Sequence, residues 1–328
     1  MIDPAVPVPT TLARASVAIG PSLDAAVDRL DPSLHEPVRH HLAGGGKHVR
    51  AGLVLLGARA VDGREEDAYC GAVAIELVHN YSLLHDDIID GDRERRHRPT
   101  VWVRYGEGVA IVCGDALAAL AMQVLFDDPS PTRIRAGALL ADANQAMIAG
   151  QSADMAFEHR PRVTVDECLA MERSKTGALL GAAAAIGAIL GGGDDGTVNA
   201  LGAYGEHLGI AFQAIDDVLG IWGDPNVTGK PVGADLLARK KTLPVAVAMA
   251  SDDGTAAELE AILSRELGTD DVARASRLIE ASGAREAVAG IADDHLKQAL
   301  GALERAALDD AAKEELVSVA YYVTARDK

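Results

Sequence analysis

Aromatic rings are scarce in this chain: three Phe, two Trp and six Tyr among 328 residues. With 48% apolar residues all the same, a sizeable core has to be built from aliphatic side chains and alanine. Strand-like alternation is nowhere sustained and β-branched runs are short. That argues against an extensive sheet and, with Ala, Leu, Arg and Glu dominant, predicts an all-α chain. Cysteine is limited to Cys70, Cys113 and Cys168, scattered without ligand spacing; they are expected as buried thiols of a reducing, cytoplasmic compartment. Basic residues are outnumbered: 31 Lys and Arg against 49 Asp and Glu leave a net charge of -18. Sequence-independent contact with nucleic acid or an anionic membrane is therefore not expected. An anionic substrate would need a local cationic site or metal ions. Met1 to Gly20 lacks the basic stretch and apolar core of a signal peptide. The longest apolar run, Gly177 to Gly193, is 17 residues long and is expected as a buried helix, not an integral membrane segment.

The most informative stretch is Tyr81-Ser82-Leu83-Leu84-His85-Asp86-Asp87-Ile88-Ile89-Asp90, with three carboxylates inside an apolar run. On a helix Asp86 and Asp90 lie one turn apart, where like charges destabilise, more so if buried; a cationic partner is expected. His79 falls on nearly the same face. The helix is expected over Asp67 to Asp90. After it, Arg93, Arg95, Arg96 and Arg98 crowd a short loop that Pro99 closes. Upstream, Gly44-Gly45-Gly46-Lys47-His48-Val49-Arg50 puts a flexible break and two cations before an apolar helix, Ala51 to Val61. Such a break lets backbone N–H groups approach an anion, although it lacks the spacing of a Walker loop.

Farther on, Val101 to Phe126 reads as a buried helix pair broken near Gly114-Asp115. Asn144, Gln151, Asp154 and Glu158 then form a polar stripe on an apolar helix, and Glu172-Arg173-Ser174-Lys175-Thr176-Gly177 interrupts a helical pattern. Gly191 to Gly196 is a turn and not a domain linker, because motifs resume beyond it. A helix from Asn199 to Trp222 carries Gln213, Asp216, Asp217 and Gly220, followed by a glycine- and cation-rich loop with Lys230, Asp235 and Lys240. From Val245 onward the chain reads as amphipathic scaffold with capping signals such as Thr255 and Glu258.

One Asp-x-x-x-Asp pair is weak evidence in so acidic a chain. Two carboxylate clusters, each on an apolar helix and each followed by Arg or Lys, are stronger. Without His or Cys partners they favour magnesium over zinc. Magnesium keeps waters and is completed by substrate phosphates, so the implied ligand is a diphosphate.

From Gly45 to Pro244 these motifs resemble, in order, those of the trans-isoprenyl diphosphate synthases, or polyprenyl synthetases. Gly45-Gly46-Lys47-His48-Val49-Arg50 is similar to the family's first element. The stretch from His79 to Asp90 is similar to its first aspartate-rich motif, followed by Arg95-Arg96 and Pro99-Thr100. Gly150-Gln151, Lys175-Thr176-Gly177, Phe212-Gln213 with Asp216-Asp217, Gly229-Lys230, Asp235 and Lys240 continue the series.

The resemblance implies one all-α domain over residues 1–328, loosely ordered over 1–20, as an antiparallel helical bundle around a central cavity and usually a homodimer. It implies head-to-tail condensation of isopentenyl diphosphate with an allylic diphosphate. Magnesium ions, three with the allylic diphosphate, would be held by Asp86, Asp90 and Asp216, with Asp87 and Asp217 in support. Arg95, Lys175, Lys230 and Lys240 would take up the charge of the leaving diphosphate. Thr176 and Gln213 would present oxygens to the cationic carbon. Lys47, Arg50, His79 and Arg96 would hold isopentenyl diphosphate. Tyr81 and Ser82, just before Asp86, match positions that limit product length, which suggests geranylgeranyl diphosphate first and farnesyl diphosphate second.

Two departures stand out. Gly220 occupies a position where the second motif commonly has a third Asp, and Asp224 would lie about 12 Å from Asp216 along a continuous helix, too far to replace it. His97 stands where a glycine usually follows the paired arginines. The rival readings are a class I terpene cyclase of the same fold and a non-catalytic partner subunit of a prenyl synthase. The survival of Lys47, Arg50 and His79 speaks against the cyclase, which needs no second diphosphate site.

Overall fold

The computed structural model describes residues 7–224, 232–251, 254–265 and 267–325. Helices α1 (Thr10–Val27), α2 (Pro32–Leu42), α3 (Val49–Arg59) and α4 (Glu65–Ile89) lead into a two-stranded hairpin, β1 (Glu94–Arg95) and β2 (Arg98–Pro99). Then come α5 (Val101–Tyr105), α6 (Glu107–Phe126), α7 (Pro131–Glu158), α8 (Val165–Glu172), a π-helical turn (Arg173–Gly177), α9 (Ala178–Leu190) and α10 (Asp195–Trp222). The last third holds α11 (Ala234–Leu237), α12 (Leu243–Met249), α13 (Thr255–Leu263), α14 (Thr269–Ala281), α15 (Ala284–Leu303) and α16 (Asp310–Thr324). The architecture is the all-α one expected.

The scarcity of large side chains has a direct packing consequence. The Ala/Gly-rich α9 is buried along most of its length and lies against α3, α7 and α10. A Cβ added at Gly187 would come within 2.0 Å of the Val54 carbonyl oxygen, and one at Gly205 within 2.3 Å of that of Leu180. Backbones this close allow α9 to sit at the centre of the bundle, and the remaining core is filled by Leu, Ile, Val and Ala. Each fully buried Leu or Ile contributes roughly 1.5–3 kcal/mol.

Several boundaries differ from the sequence reading. Within the start expected to be loose, the chain is helical from Thr10, because Thr11, Leu12, Ala15 and Ile19 are buried against the core. The break in the segment Val101 to Phe126 falls at Gly106, whose φ of 94° suits glycine, and α6 runs unbroken through Gly114. This helix is not wholly buried: Ile111, Val112 and Phe126 are exposed. It is long and apolar enough to cross a membrane by length and composition, with 39% of that window buried. Gly254, not Thr255, occupies the N-cap of α13. The arginine-rich loop forms a tight hairpin whose central residues, Arg96 and His97, have φ of 53° and 60°. This left-handed geometry is the one two-residue hairpin turns demand, and it explains why glycine would suit position 97.

Candidate active site

Two adjoining cavities open between α4, α3, α10 and the π-helical turn. The first, about 370 Å³, is lined among others by Lys47, Arg50, His79, Arg95, Arg96 and Asp216. The second, about 400 Å³, is lined among others by Tyr81, Ser82, Asp86, Lys175, Thr176 and Gln213. Arg50, His79, Leu83 and Phe212 border both. Most of the residues singled out in the sequence thus border these two cavities; Asp87, Asp90, Asp217 and Lys240 line neither, and Lys230 lies outside the described residues.

The first cavity is a cationic bowl. Arg50 donates to His79 Nε2 at 3.2 Å, and its Nε is buried without a partner. Burial together with Arg50, Arg96 and Arg95 holds His79 well below the usual histidine range, so its ring is neutral and able to accept. His41, a residue the sequence gave no reason to select, is pushed down to about 3 by burial and by Arg95 and Arg96. The Arg96 guanidinium passes so close to Gly46 that an added Cβ would meet it at 3.1 Å. Buried Glu76 accepts from Ala51 N at 3.1 Å and pairs with His48 Nδ1 at 3.3 Å. It thereby fixes the start of α3 and with it Arg50. The C-terminal third is more than scaffold here: Lys47 lies over the Tyr322 ring, 5.1 Å from its centroid, and Val323 lines the cavity.

The carboxylates divide into two kinds. Asp86 faces the second cavity, and burial raises its pKa to about 6 against the opposing pull of Lys175. Asp87 is 1% exposed and turned inward, where Arg95 Nε donates to it at 2.7 Å. Asp90 accepts from Lys240 Nζ at 3.1 Å, a contact that joins the end of α4 to the loop after α11. On α10, Asp216 faces the first cavity. Asp217 is buried and accepts from Gln213 Nε2 at 3.0 Å and from Leu243 N at 2.9 Å. Asp87 and Asp217 are thus engaged by the protein itself, while Asp86 and Asp216 border the open space.

The interruption at Lys175 is a π-helical turn, a feature common at functional sites. It turns Lys175 toward Asp154 on α7, bonded at 2.5 Å, and Thr176 toward Gln213 Oε1, bonded at 3.1 Å. A Cβ at Gly150 would strike Lys175 N at 2.4 Å, so glycine there lets α7 approach the turn. Thr176, Gln213, Asp217 and the N-terminus of α12 form one continuous chain of hydrogen bonds. Beside it sits Glu172, 1% exposed, its carboxyl turned toward that of Asp217. Burial and the nearby Asp217 push its pKa well above the usual range, and burial lifts that of Asp217 to about 7. Nothing in the local sequence distinguishes Glu172 from a surface helix residue.

Tyr81 is buried, donates its hydroxyl to Asn144 Oδ1 on α7, and meets the His85 ring edge-on with centroids 5.7 Å apart. His85 in turn fills the space left by Gly114, where a Cβ would lie 2.1 Å from Nε2, and contacts the Ile111 carbonyl at 3.1 Å. Tyr81 is therefore wedged between α6 and α7. Asn144 was visible only as part of a polar stripe. Ser82 also lines the second cavity, with its hydroxyl bonded to the His79 carbonyl at 2.9 Å.

Residues 31–280 match the family described as Polyprenyl synthetase. The chain is 42% identical to a (2E,6E)-farnesyl diphosphate synthase of Mycobacterium tuberculosis over 96% of this chain and 92% of that protein. It is also 42% identical to a geranylgeranyl diphosphate synthase of the same organism, over 89% and 87% respectively. Among solved structures, a polyprenyl synthetase from Streptomyces coelicolor A3(2) superposes with a TM-score of 0.92 at 42% identity, covering 97% of this chain and 99% of that one.

Proposed function

The chain belongs to the polyprenyl synthetase family, and we propose that it is a short-chain prenyltransferase joining isopentenyl diphosphate head-to-tail to an allylic diphosphate. The observation that carries this reading is the pair of adjoining cavities, one rimmed by Lys47, Arg50, His79 and Arg96, the other by Asp86, Lys175 and Thr176. A cyclase of one diphosphate substrate has no use for the first.

Magnesium fits the donor set. Asp86, Asp90 and Asp216 offer only oxygen, and among the described residues no three His, Cys, Asp or Glu side chains converge to hold an ion unaided. That is the arrangement expected of ions completed by substrate phosphates. Asp86, Asp90 and Asp216 would hold the magnesium, three ions in this reading, and the metal would supply neutralisation of the charge on the leaving diphosphate.

The protein's own groups do the rest. Lys175, Lys230 and Lys240 add positive charge where negative charge develops as the C–O bond ionises. Arg95 does so too while fixing Asp87, and Asp217 keeps Gln213 oriented. Thr176 and Gln213 turn oxygens toward the electron-poor carbon. Arg50, with its free Nε, and the neutral His79 orient isopentenyl diphosphate beside Lys47 and Arg96, so that its double bond meets that carbon. The released diphosphate takes the final proton.

Tyr81, wedged by Asn144, closes the second cavity and favours a short product, geranylgeranyl diphosphate before farnesyl diphosphate. The reading includes one helical domain, a cytoplasmic location and a homodimer. The dimer is supported by the exposed apolar residues Ile111, Val112 and Phe126 of α6 and Ile134 of α7, which fit a second copy of the chain; a monomeric mass by light scattering would contradict it.

The decisive experiment is chromatography of products from purified protein, magnesium, labelled isopentenyl diphosphate and each allylic primer in turn. Linear prenyl diphosphates that require both substrates are the expected result. Cyclic hydrocarbon formed from the allylic substrate alone would overturn the assignment, as would turnover that appears only when an active synthase is added.

A further inference from the structure

A separate cleft of about 510 Å³ opens between α2, the hairpin and α5, lined among others by Arg39, His40, Arg98, Arg104 and Tyr105. None of these five borders the two cavities of the proposed reaction. His40 organises the cleft. Its Nε2 lies 2.8 Å from the Pro99 carbonyl oxygen, and because a carbonyl can only accept, Nε2 carries a proton and Nδ1 offers a single lone pair. Two guanidiniums converge on that lone pair, Arg98 at 3.2 Å and Arg104 at 3.1 Å. One acceptor thus serves two cations.

Cations outnumber anions around it. Arg39 is bonded to Asp28, and Glu36 lies 3.6 Å from Arg104 while accepting from the Tyr105 hydroxyl at 2.9 Å. Arg98 has no ion-pair partner among the described residues. In a chain of net charge -18, a local surplus of cations draws small anions, and two guanidinium forks aimed at one point match the oxygens of a phosphate group. Arg98 also links the cleft to the active site. It stands directly across the hairpin from Arg95, which pins Asp87. With Arg95, Arg96 and Asp87 it borders a small space of about 20 Å³, which His40 also lines.

We propose that this cleft is a second anion site, in which a free phosphate ion bridges Arg98 and Arg104 beside His40 and braces the hairpin that carries Arg95 and Arg96. Phosphate oxygens accept from both guanidiniums and end their competition for His40 Nδ1. A phospholipid headgroup offers the same oxygens, but the net charge of the chain opposes an anionic surface, so the free ion is the occupant.

Calorimetric titration with inorganic phosphate, after metal is removed with EDTA, tests this. Lys47→Gln weakens the cationic bowl of the first cavity and is expected to leave saturable phosphate binding at the cleft. In that background, Arg98→Gln combined with Arg104→Gln is expected to weaken the binding by about 10-fold or more, the scale of one lost charged hydrogen bond, with an unchanged melting temperature in the absence of phosphate. Arg104→Glu, on an exposed side chain, reverses one charge and is expected to act in the same direction. Affinity in these variants equal to that of the Lys47→Gln protein would overturn the proposal, as would absence of saturable binding by the Lys47→Gln protein itself. Sedimentation with phosphatidylglycerol vesicles separates the two sources of phosphate: none is expected, and vesicle binding that requires Arg98 and Arg104 while free phosphate does not bind would overturn the free ion as occupant.

Discussion

The ends of α4 and α10 present acidic groups to the same space, but they are built differently. On α4 one counter-charge is close in sequence, since Arg95 in the following hairpin pins Asp87 at 2.7 Å, while Asp86 faces Lys175 and Asp90 is bonded to Lys240. On α10 almost every partner comes from far along the chain. Asp217 is held by the start of α12, Glu172 presses on it from α8, and the Asp235 carboxylate on α11 lies against Gly220. A cluster with its buried carboxylate pinned by its own loop depends less on distant packing than one assembled from four segments. The α4 end should therefore respond to substitution mainly through chemistry, and the α10 end through chemistry and stability at once.

The largest effect expected is at the α4 end. Asp86→Ala should lower turnover by about 100-fold or more, the scale on which one preorganised electrostatic group is missed, with unchanged circular dichroism and melting temperature. Near-normal turnover would remove Asp86 from the site. A fold lost together with activity would erase the contrast between the two ends.

Next comes Glu172, where stability is the readout. A buried carboxyl with a raised pKa holds its proton in the folded state after the unfolded chain has released it, so stability falls as pH rises from about 4.3, the unfolded value, toward the folded one. The loss is at most about 1.4 kcal/mol per pH unit. Glu172→Gln, which needs no proton, should be more stable than the parent at pH 7, with the advantage vanishing below about pH 4. Denaturant unfolding at several pH values checks this. A difference independent of pH would mean that Glu172 is ionised in the fold, and would remove the stability contrast.

The smallest effect in energy, though plain by chromatography, concerns Tyr81. Tyr81→Ala should shift the product toward longer chains by at least one isoprene unit at similar turnover, because the ring that closes the second cavity is gone. Tyr81→Phe, which keeps the ring and loses only the bond to Asn144, should shift it less. An unchanged distribution in both would assign the limit on growth to other walls of the cavity.

The legibility of the site followed the same division. Asp86, Asp90, Arg95 and Arg96 could be selected together because their spacing along one helix and loop is itself the signal. Lys175 and Thr176 showed as an interrupted helical pattern, but nothing local indicated a π-helical turn or its partners Asp154 and Gln213. Glu76 and His41 were passed over, and Asn144 and Glu172 stood out only as members of a polar stripe and of an interrupted pattern. A polar residue on a helix looks the same in sequence whether its face meets solvent or core, and tertiary contacts are what make these four consequential. Sequence spacing along α10 was the only ruler available around Gly220, and it could not show that the Asp235 carboxylate lies against that glycine. Asp224 failed that ruler, and Asp235 could not be measured by it.

What the sequence alone determined was the helical character, through composition and apolar periodicity, and the chemistry class, through the order of two aspartate-bearing helices each trailed by cations. These depend on contacts within a few turns, which spacing encodes. Tertiary structure decided which aspartates face open space and which are tied up by the protein, how Tyr81 is wedged, and where the carboxylate opposite Gly220 comes from. Those depend on the mutual approach of helices distant in sequence, set by glycine and alanine contacts around α9, and no local pattern carries them.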